Sequence, residues 1–246
     1  MESPAQISVA RTAIHFWTDA ASRVGRFAAT RALFAALWEF LRESTPSRLR
    51  QRYGDADYDW DHRVNTTSAA VGWRDRLLGV FHSTYQPTDP AGFREMLTAL
   101  AAHTKLNFRE FTFLDLGSGK GRTLLMASDY PFRRILGVEL LPTLHQFARQ
   151  NLRHYRNDSQ QCFSIESLCA DATTFPFPDE PLVVYLFNPL GEPALRRVVS
   201  NLEQSLRTNP RPLYVLYYNP LLEHVLGESG FLRKLAGTDQ YSVFGG

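Results

Sequence analysis

The chain has 246 residues, 44% of them hydrophobic and 21% charged, with a formal net charge of +2. A chain of this length buries roughly 70–75% of its unfolded surface, enough for one large domain with an extension. The charge is too small to point to nucleic acid by itself, and no stretch of 18 residues escapes charge, which argues against a membrane span.

The start, "MESPAQISVA", carries an acidic residue and no apolar core, unlike a secretory signal, so a reducing, cytoplasmic setting is expected. The first element reads as a helix: Trp17, Ala20, Val24, Phe27, Phe34, Trp38 and Leu41 recur at helical spacing, and Pro46 ends it. Arg11, Arg23, Arg26, Arg31 and Arg42 decorate it. A basic amphipathic helix suits either packing on its own domain, with the arginines in solvent, or peripheral contact with a membrane or partner. Residues 47–84 lose periodicity and read as a loop-rich cap. Asp55, Asp57, Asp59 and Asp61 stand there among aromatics, as a solvated charge run or a local field for a cationic acceptor. Asn65-Thr66-Thr67 matches a glycosylation sequon, which carries no weight without a secretion signal. Residues 1–84 are therefore expected to form a helical extension or cap, and residues 85–246 the main domain.

From residue 85 the pattern becomes regular. Asp89 caps a helix with Pro90 at its first position and Phe93, Leu97 and Leu100 on one face. Apolar runs at 111–116, 135–139, 163–169, 182–187 and 212–218 alternate with helical stretches at about 122–130, 142–154 and 192–206. Strands alternating with helices, several apolar on both faces, indicate a parallel sheet covered on both sides. Cys162 and Cys169, seven apart, would face opposite sides of a strand, which suggests neither a disulfide nor a metal site. The tail reads as two short strands turning near Gly237-Thr238-Asp239, an antiparallel hairpin closing the sheet edge.

The loop after the first strand of such a sheet is the usual ligand cradle, and here it is "FLDLGSGKGR", residues 113–122. Glycines there permit positive φ and close approach of backbone N–H groups. A dinucleotide fingerprint would need glycine where Arg122 stands, and a P-loop would need Ser or Thr where Gly121 stands. What remains is G-x-G-x-G behind Asp115, and the stretch resembles motif I of the class I S-adenosylmethionine-dependent methyltransferases.

The resemblance continues in order over about residues 85–246. Glu139 ends the second strand, 18 residues after Gly121, where the family places an acid for the ribose hydroxyls. Asp171 follows the third strand, where the family's acid or amide receives the adenine amino group and the next N–H, that of Ala172, meets the ring. The resemblance implies a doubly wound, Rossmann-like seven-stranded α/β fold. It implies S-adenosylmethionine as cofactor and S-adenosylhomocysteine as product, with Asp115, Gly117, Ser118, Gly119, Gly121, Glu139, Leu140, Asp171, Ala172 and Asn188 in the cofactor site. Asp115 would serve the cationic end of the cofactor and the loop N–H groups its carboxylate. No metal is implied.

The fourth strand ends in Asn188-Pro189, which resembles the Asn-Pro-Pro-aromatic motif of enzymes that methylate amine or amide nitrogen, with Asn188 and the Pro189 carbonyl as catalytic positions. The second proline and the aromatic are replaced by Leu190 and Gly191, which weakens the case for a nucleic-acid base. Tyr85, Pro87 and Thr88 resemble the Tyr-x-Pro segment of seven-strand lysine methyltransferases, the non-SET type included, where it lines the cofactor and lysine channel. The whole also resembles bacterial class I methyltransferases of unassigned substrate. Tyr185, Tyr217 and Tyr218 are candidates for an acceptor pocket or for core, His145 for the surround of the site, and Asn219-Pro220 for the pocket's far wall. The reading is N-methylation of a protein lysine or a small molecule; the alternatives are a non-catalytic cofactor-binding partner module and small-molecule O- or C-methylation.

Overall fold

The computed structural model describes residues 13–14, 17–18, 20–22, 25–43, 56–67, 87–188 and 190–246. Its elements are α1 (Arg26–Glu43), α2 (Ala56–His62), α3 (Pro90–His103), β1 (Thr112–Leu116), α4 (Arg122–Ala127), β2 (Arg134–Glu139), α5 (Pro142–His154), β3 (Ile165–Cys169), β4 (Leu182–Phe187), α6 (Glu192–Thr208), β5 (Leu213–Tyr218), α7 (Glu223–Gly227), β6 (Arg233–Gly237) and β7 (Tyr241–Gly245).

The seven strands form one sheet in the order β3-β2-β1-β4-β5-β7-β6. The first five are parallel, and β7 runs antiparallel to both β5 and β6. The terminal hairpin thus inserts its last strand beside β5 and leaves β6 at the edge. Strand order reverses between β1 and β4, which places the ends of β1, β2 and β4 around the crevice where such sheets bind ligands.

Period-two alternation divides the core between the two faces. Leu114, Leu116, Val138, Val184 and Leu186 point to one side and pack with Leu195, Val198 and Leu202 of α6. Phe113, Ile135, Val183 and Tyr185 point to the other and pack with Phe93, Met96, Leu97 and Leu100 of α3 and Leu124 of α4. Each such fully buried side chain stabilises the fold by about 1.5–3 kcal/mol. Asp115 and Glu139 occupy the second face, in line with Phe113 and Ile135, so two acids interrupt an otherwise apolar surface. Asp89 caps α3 as expected, accepting from the Gly92 N–H at 2.8 Å, with Pro90 following.

Two upstream expectations change. The single first helix is interrupted at Gly25, whose φ of +85° is left-handed and whose N–H donates to the Ala21 carbonyl at 3.2 Å. Glycine in that conformation terminates one helical run before α1 begins. Within α1, Phe27, Phe34 and Trp38 are 88%, 67% and 71% exposed, so at these positions the apolar stripe does not pack on the domain, the first of the two arrangements expected for it. Further on, the stretch without periodicity contains α2; seven residues are too short for a helical repeat to declare itself. No helix among the described residues is long and apolar enough to cross a membrane.

Candidate functional site

The loop between β1 and α4 adopts positive φ at Gly117, Gly119 and Gly121, +87°, +55° and +82°. A Cβ at Gly121 would lie 3.2 Å from Ala148 Cβ, so this glycine also lets α4 pass close to α5. The loop N–H groups do not point outward as a set, contrary to the sequence expectation. Those of Gly117 and Ser118 both donate to the Val138 carbonyl, at 2.8 and 3.1 Å, and that of Gly121 to the Ser118 carbonyl at 2.8 Å. The Gly119 N–H donates to Glu139 Oε2 at 2.8 Å. Burial requires these donors to be paired, and the fold pairs them internally.

Glu139 is buried at the end of β2, and its Oε1 accepts the Leu141 N–H at 2.8 Å. Leu140, between them, is half-buried. The carboxylate is therefore fixed in place by its own neighbourhood. Asp115 stands opposite Gly137 on β2 and Tyr185 on β4 and is 2% exposed. Burial, and then the like charge of Glu139, hold its carboxyl well above the ordinary aspartate range, against a hydrogen bond from Thr123. Thr88 reaches this group indirectly: its Oγ1 is 2.8 Å from the Tyr185 hydroxyl and 3.4 Å from Thr123 Oγ1.

Gly137 is a site residue that the sequence reading passed over. A Cβ there would meet Ser118 Oγ at 2.7 Å and Leu124 Cδ1 at 2.6 Å. The loop lies against this bare strand position, and glycine inside a strand was the available signal. Ser118 Oγ is buried there with no hydrogen-bond partner among the described residues.

After β3, Asp171 is exposed and its Oδ1 accepts both the N–H and the hydroxyl of Thr173, each at 2.8 Å. It caps its own turn, with Ala172 buried beneath it. Asn201 of α6 ties that turn down by donating to the Thr173 carbonyl at 2.7 Å. His145 faces β3, with Nδ1 2.9 Å from Ser167 Oγ, and burial and Arg149 lower its proton affinity.

At the ends of β4 and β5, Asn188 and Asn219 both adopt φ of +48°. Asparagine tolerates this conformation better than most residues. Adjacent parallel strands, with Phe187 paired to Tyr218, bring the two asparagines side by side. Asn188 is half-buried, and its Oδ1 accepts the Tyr217 hydroxyl at 2.9 Å. Tyr217 is 1% exposed, so the core reading of this tyrosine holds and it also orients Asn188. The Phe187 and Tyr218 rings meet edge to face at 5.0 Å beside them. Tyr85 and Pro189 lie outside the described residues.

The other side of the loop is contacted by residues 56–67. Lys120 Nζ donates to the Thr67 carbonyl at 2.6 Å and to Asn65 Oδ1 at 3.1 Å. Burial and Arg122 push its pKa down to about 8, against the pull of Asp59. Arg122 Nε donates to Thr66 Oγ1 at 2.6 Å, its Nη2 lies 3.3 Å from Asp59 Oδ1, and its guanidinium lies over the Tyr58 ring at 4.7 Å. The expected solvated acidic run therefore holds a buried ion pair at Asp59, whose side chain is 12% exposed.

Residues 113–209 match a family model described as a methyltransferase domain. No curated protein matches the chain. Solved structures similar to it include an RNA methyltransferase from Salinibacter ruber in complex with S-adenosyl-L-homocysteine, at 20% identity over 65% of this chain and 91% of that one, TM-score 0.41. A SAM-dependent methyltransferase from Aquifex aeolicus is similar at 15% identity over 64% and 96%, TM-score 0.44. A SAM-dependent methyltransferase from Leishmania major is similar at 14% identity over 64% and 70%, TM-score 0.45.

Proposed function

We propose that this chain, an S-adenosylmethionine-dependent methyltransferase with its methyltransferase domain in residues 113–209, methylates an amine or amide nitrogen on a protein lysine or a small molecule. The observation that carries this reading is the left-handed Asn188 at the end of β4, beside Asn219 and on the same sheet edge as the glycine loop.

The residues present fit the cofactor. Asp115 and Glu139 form a buried pair of like charges, an arrangement that a cationic ligand relieves, and S-adenosylmethionine carries an ammonium and a sulfonium. Asp115 would hold the ammonium, Glu139 the ribose hydroxyls, and the turn at Asp171-Ala172 the adenine. Ser118 Oγ is a buried hydroxyl available to the same ligand. When bound, the cofactor supplies an electrophilic methyl group and leaves as S-adenosylhomocysteine.

The chain's own part is alignment and exclusion of water, which together are worth up to about 7–11 kcal/mol in an in-line displacement. Asn188 Oδ1 accepts an N–H of the acceptor and directs its lone pair toward the methyl carbon, and Tyr217 keeps that oxygen pointing the right way. Phe187 and Tyr218 form an apolar wall beside it. In this reading residues 85–246 are the catalytic domain and residues 1–84 an extension.

Methyl-labelled cofactor added to cell lysate with the purified protein, then fractionated, tests the reading. Label is expected in protein or small amines and is expected to disappear with Asn188→Ala. Full turnover in that variant would move the acceptor to oxygen or carbon, and label in nucleic acid would overturn the acceptor class.

A further inference from the structure

We propose that Asp59 is a positioning residue for the cofactor loop, and that the segment 56–67 is a working part of the cofactor site. The proposal rests on the cofactor reading above and goes beyond it, because nothing in that reading assigns a role to residues upstream of 85.

The geometry is a closed polar clamp. Asp59 Oδ2 accepts the N–H groups of Thr66 and Thr67 at 2.7 and 2.8 Å, and Oδ1 accepts the Thr66 hydroxyl. One carboxylate thereby folds the turn at 63–67 back onto α2. The turn in turn presents the Thr67 carbonyl to Lys120 and the Thr66 oxygen to Arg122. Asn151 of α5 closes the circuit by donating to the carbonyls of both Lys120 and Asn65, at 2.9 Å each, and accepting the Asn65 N–H at 2.8 Å.

Lys120 lies between Gly119 and Gly121, and Arg122 begins α4, so the clamp grips the loop at two points where glycine gives the backbone its greatest freedom. Lys120 and Arg122 are 0% and 2% exposed. Two buried cations need anchored partners, and Asp59 supplies the charge for one and builds the turn whose carbonyl serves the other. Without Asp59 the turn loses the acceptor of its Thr66 and Thr67 N–H groups and Arg122 loses this ion pair, so the loop is held less tightly and its ordering falls in larger part to the ligand, a cost that appears as weaker binding.

The test is S-adenosylhomocysteine calorimetry on full-length protein, with hydrogen exchange read separately on peptides covering residues 117–122 and 182–187. For Asp59→Ala we expect affinity to fall about 10-fold or more, with faster exchange confined to the loop peptide. Asp59→Asn, which keeps an acceptor for the turn and loses the charge, is expected to fall between Asp59→Ala and wild type. Asp61→Asn, on the exposed side of α2, is expected to bind as wild type does. Wild-type affinity in Asp59→Ala would overturn the proposal. So would acceleration of both peptides, which marks a general folding role; if Asp59→Ala does not fold, Asp59→Asn decides on the same two criteria. Absence of binding by the wild-type protein would instead sink the cofactor reading.

Discussion

The two halves of the crevice are built by opposite means. Around the glycine loop, Asp115 and Glu139 are almost fully buried, the N–H groups of Gly117, Ser118, Gly119 and Gly121 are paired internally, and Lys120 and Arg122 tie the loop to residues 59–67. At the ends of β4 and β5, Asn188 and Asn219 are half-buried, neutral and set by backbone conformation, and the Tyr217 hydroxyl donates to Asn188. A rigid, charged half suits a ligand of fixed chemistry. A neutral edge set by backbone conformation suits an uncharged polar partner.

Predictions that probe this contrast begin on the rigid side. Gly137→Val should have the largest effect, because even a Cβ would lie 2.6–2.8 Å from Leu124 and Ser118 and the whole loop would have to move. Overpacking of this kind costs about 1–3 kcal/mol of stability, and S-adenosylhomocysteine binding should be lost; chemical denaturation and calorimetry measure the two. Glu139→Ala should weaken cofactor binding by roughly 10- to 150-fold, since it removes charge-assisted hydrogen bonds of about 1.5–3 kcal/mol and strands the N–H groups of Gly119 and Leu141. Wild-type affinity in this variant would show that the carboxylate serves the loop alone.

The third prediction concerns pH. The raised pKa of Asp115 means that the folded, ligand-free protein binds this proton more tightly than the unfolded chain does. Its contribution to stability is therefore fully present below the ordinary aspartate range and is lost as pH rises through the raised value. A cationic ligand favours the ionised form, so cofactor affinity should fall as pH drops through that same raised value. Calorimetry across pH should show proton release on binding, and Asp115→Asn should abolish it.

The smallest effect belongs to the open side. Tyr217→Phe removes one hydrogen bond to Asn188, worth about 0.5–1.5 kcal/mol, so turnover should drop roughly 2- to 10-fold. Cofactor affinity should not change. A change in that affinity would mean that the two halves are not separable.

Much of this was available from residue order. Alternation of apolar runs and helical stretches located β1 through β5, and the boundaries at 142–154 and 182–187 agree to the residue because Pro142 and the all-apolar β4 mark them. The glycine spacing located the positive-φ turn after β1, and Glu139 does end β2. The cap at Asp89-Pro90 was equally plain.

The amino-acid sequence by itself determined the main elements from residue 90 onward and the place of the glycine loop after β1, because period, capping and glycine placement are local properties of the chain. Only the tertiary structure decided that β7 lies inside β6, that Gly137 receives Ser118, that Tyr217 holds Asn188 and that Asp59 reaches Arg122 across 63 residues. The physical reason is that a buried polar group must find a partner wherever the fold brings one. Lys120, Arg122 and Asp59 carry no mark in sequence of which partners those are.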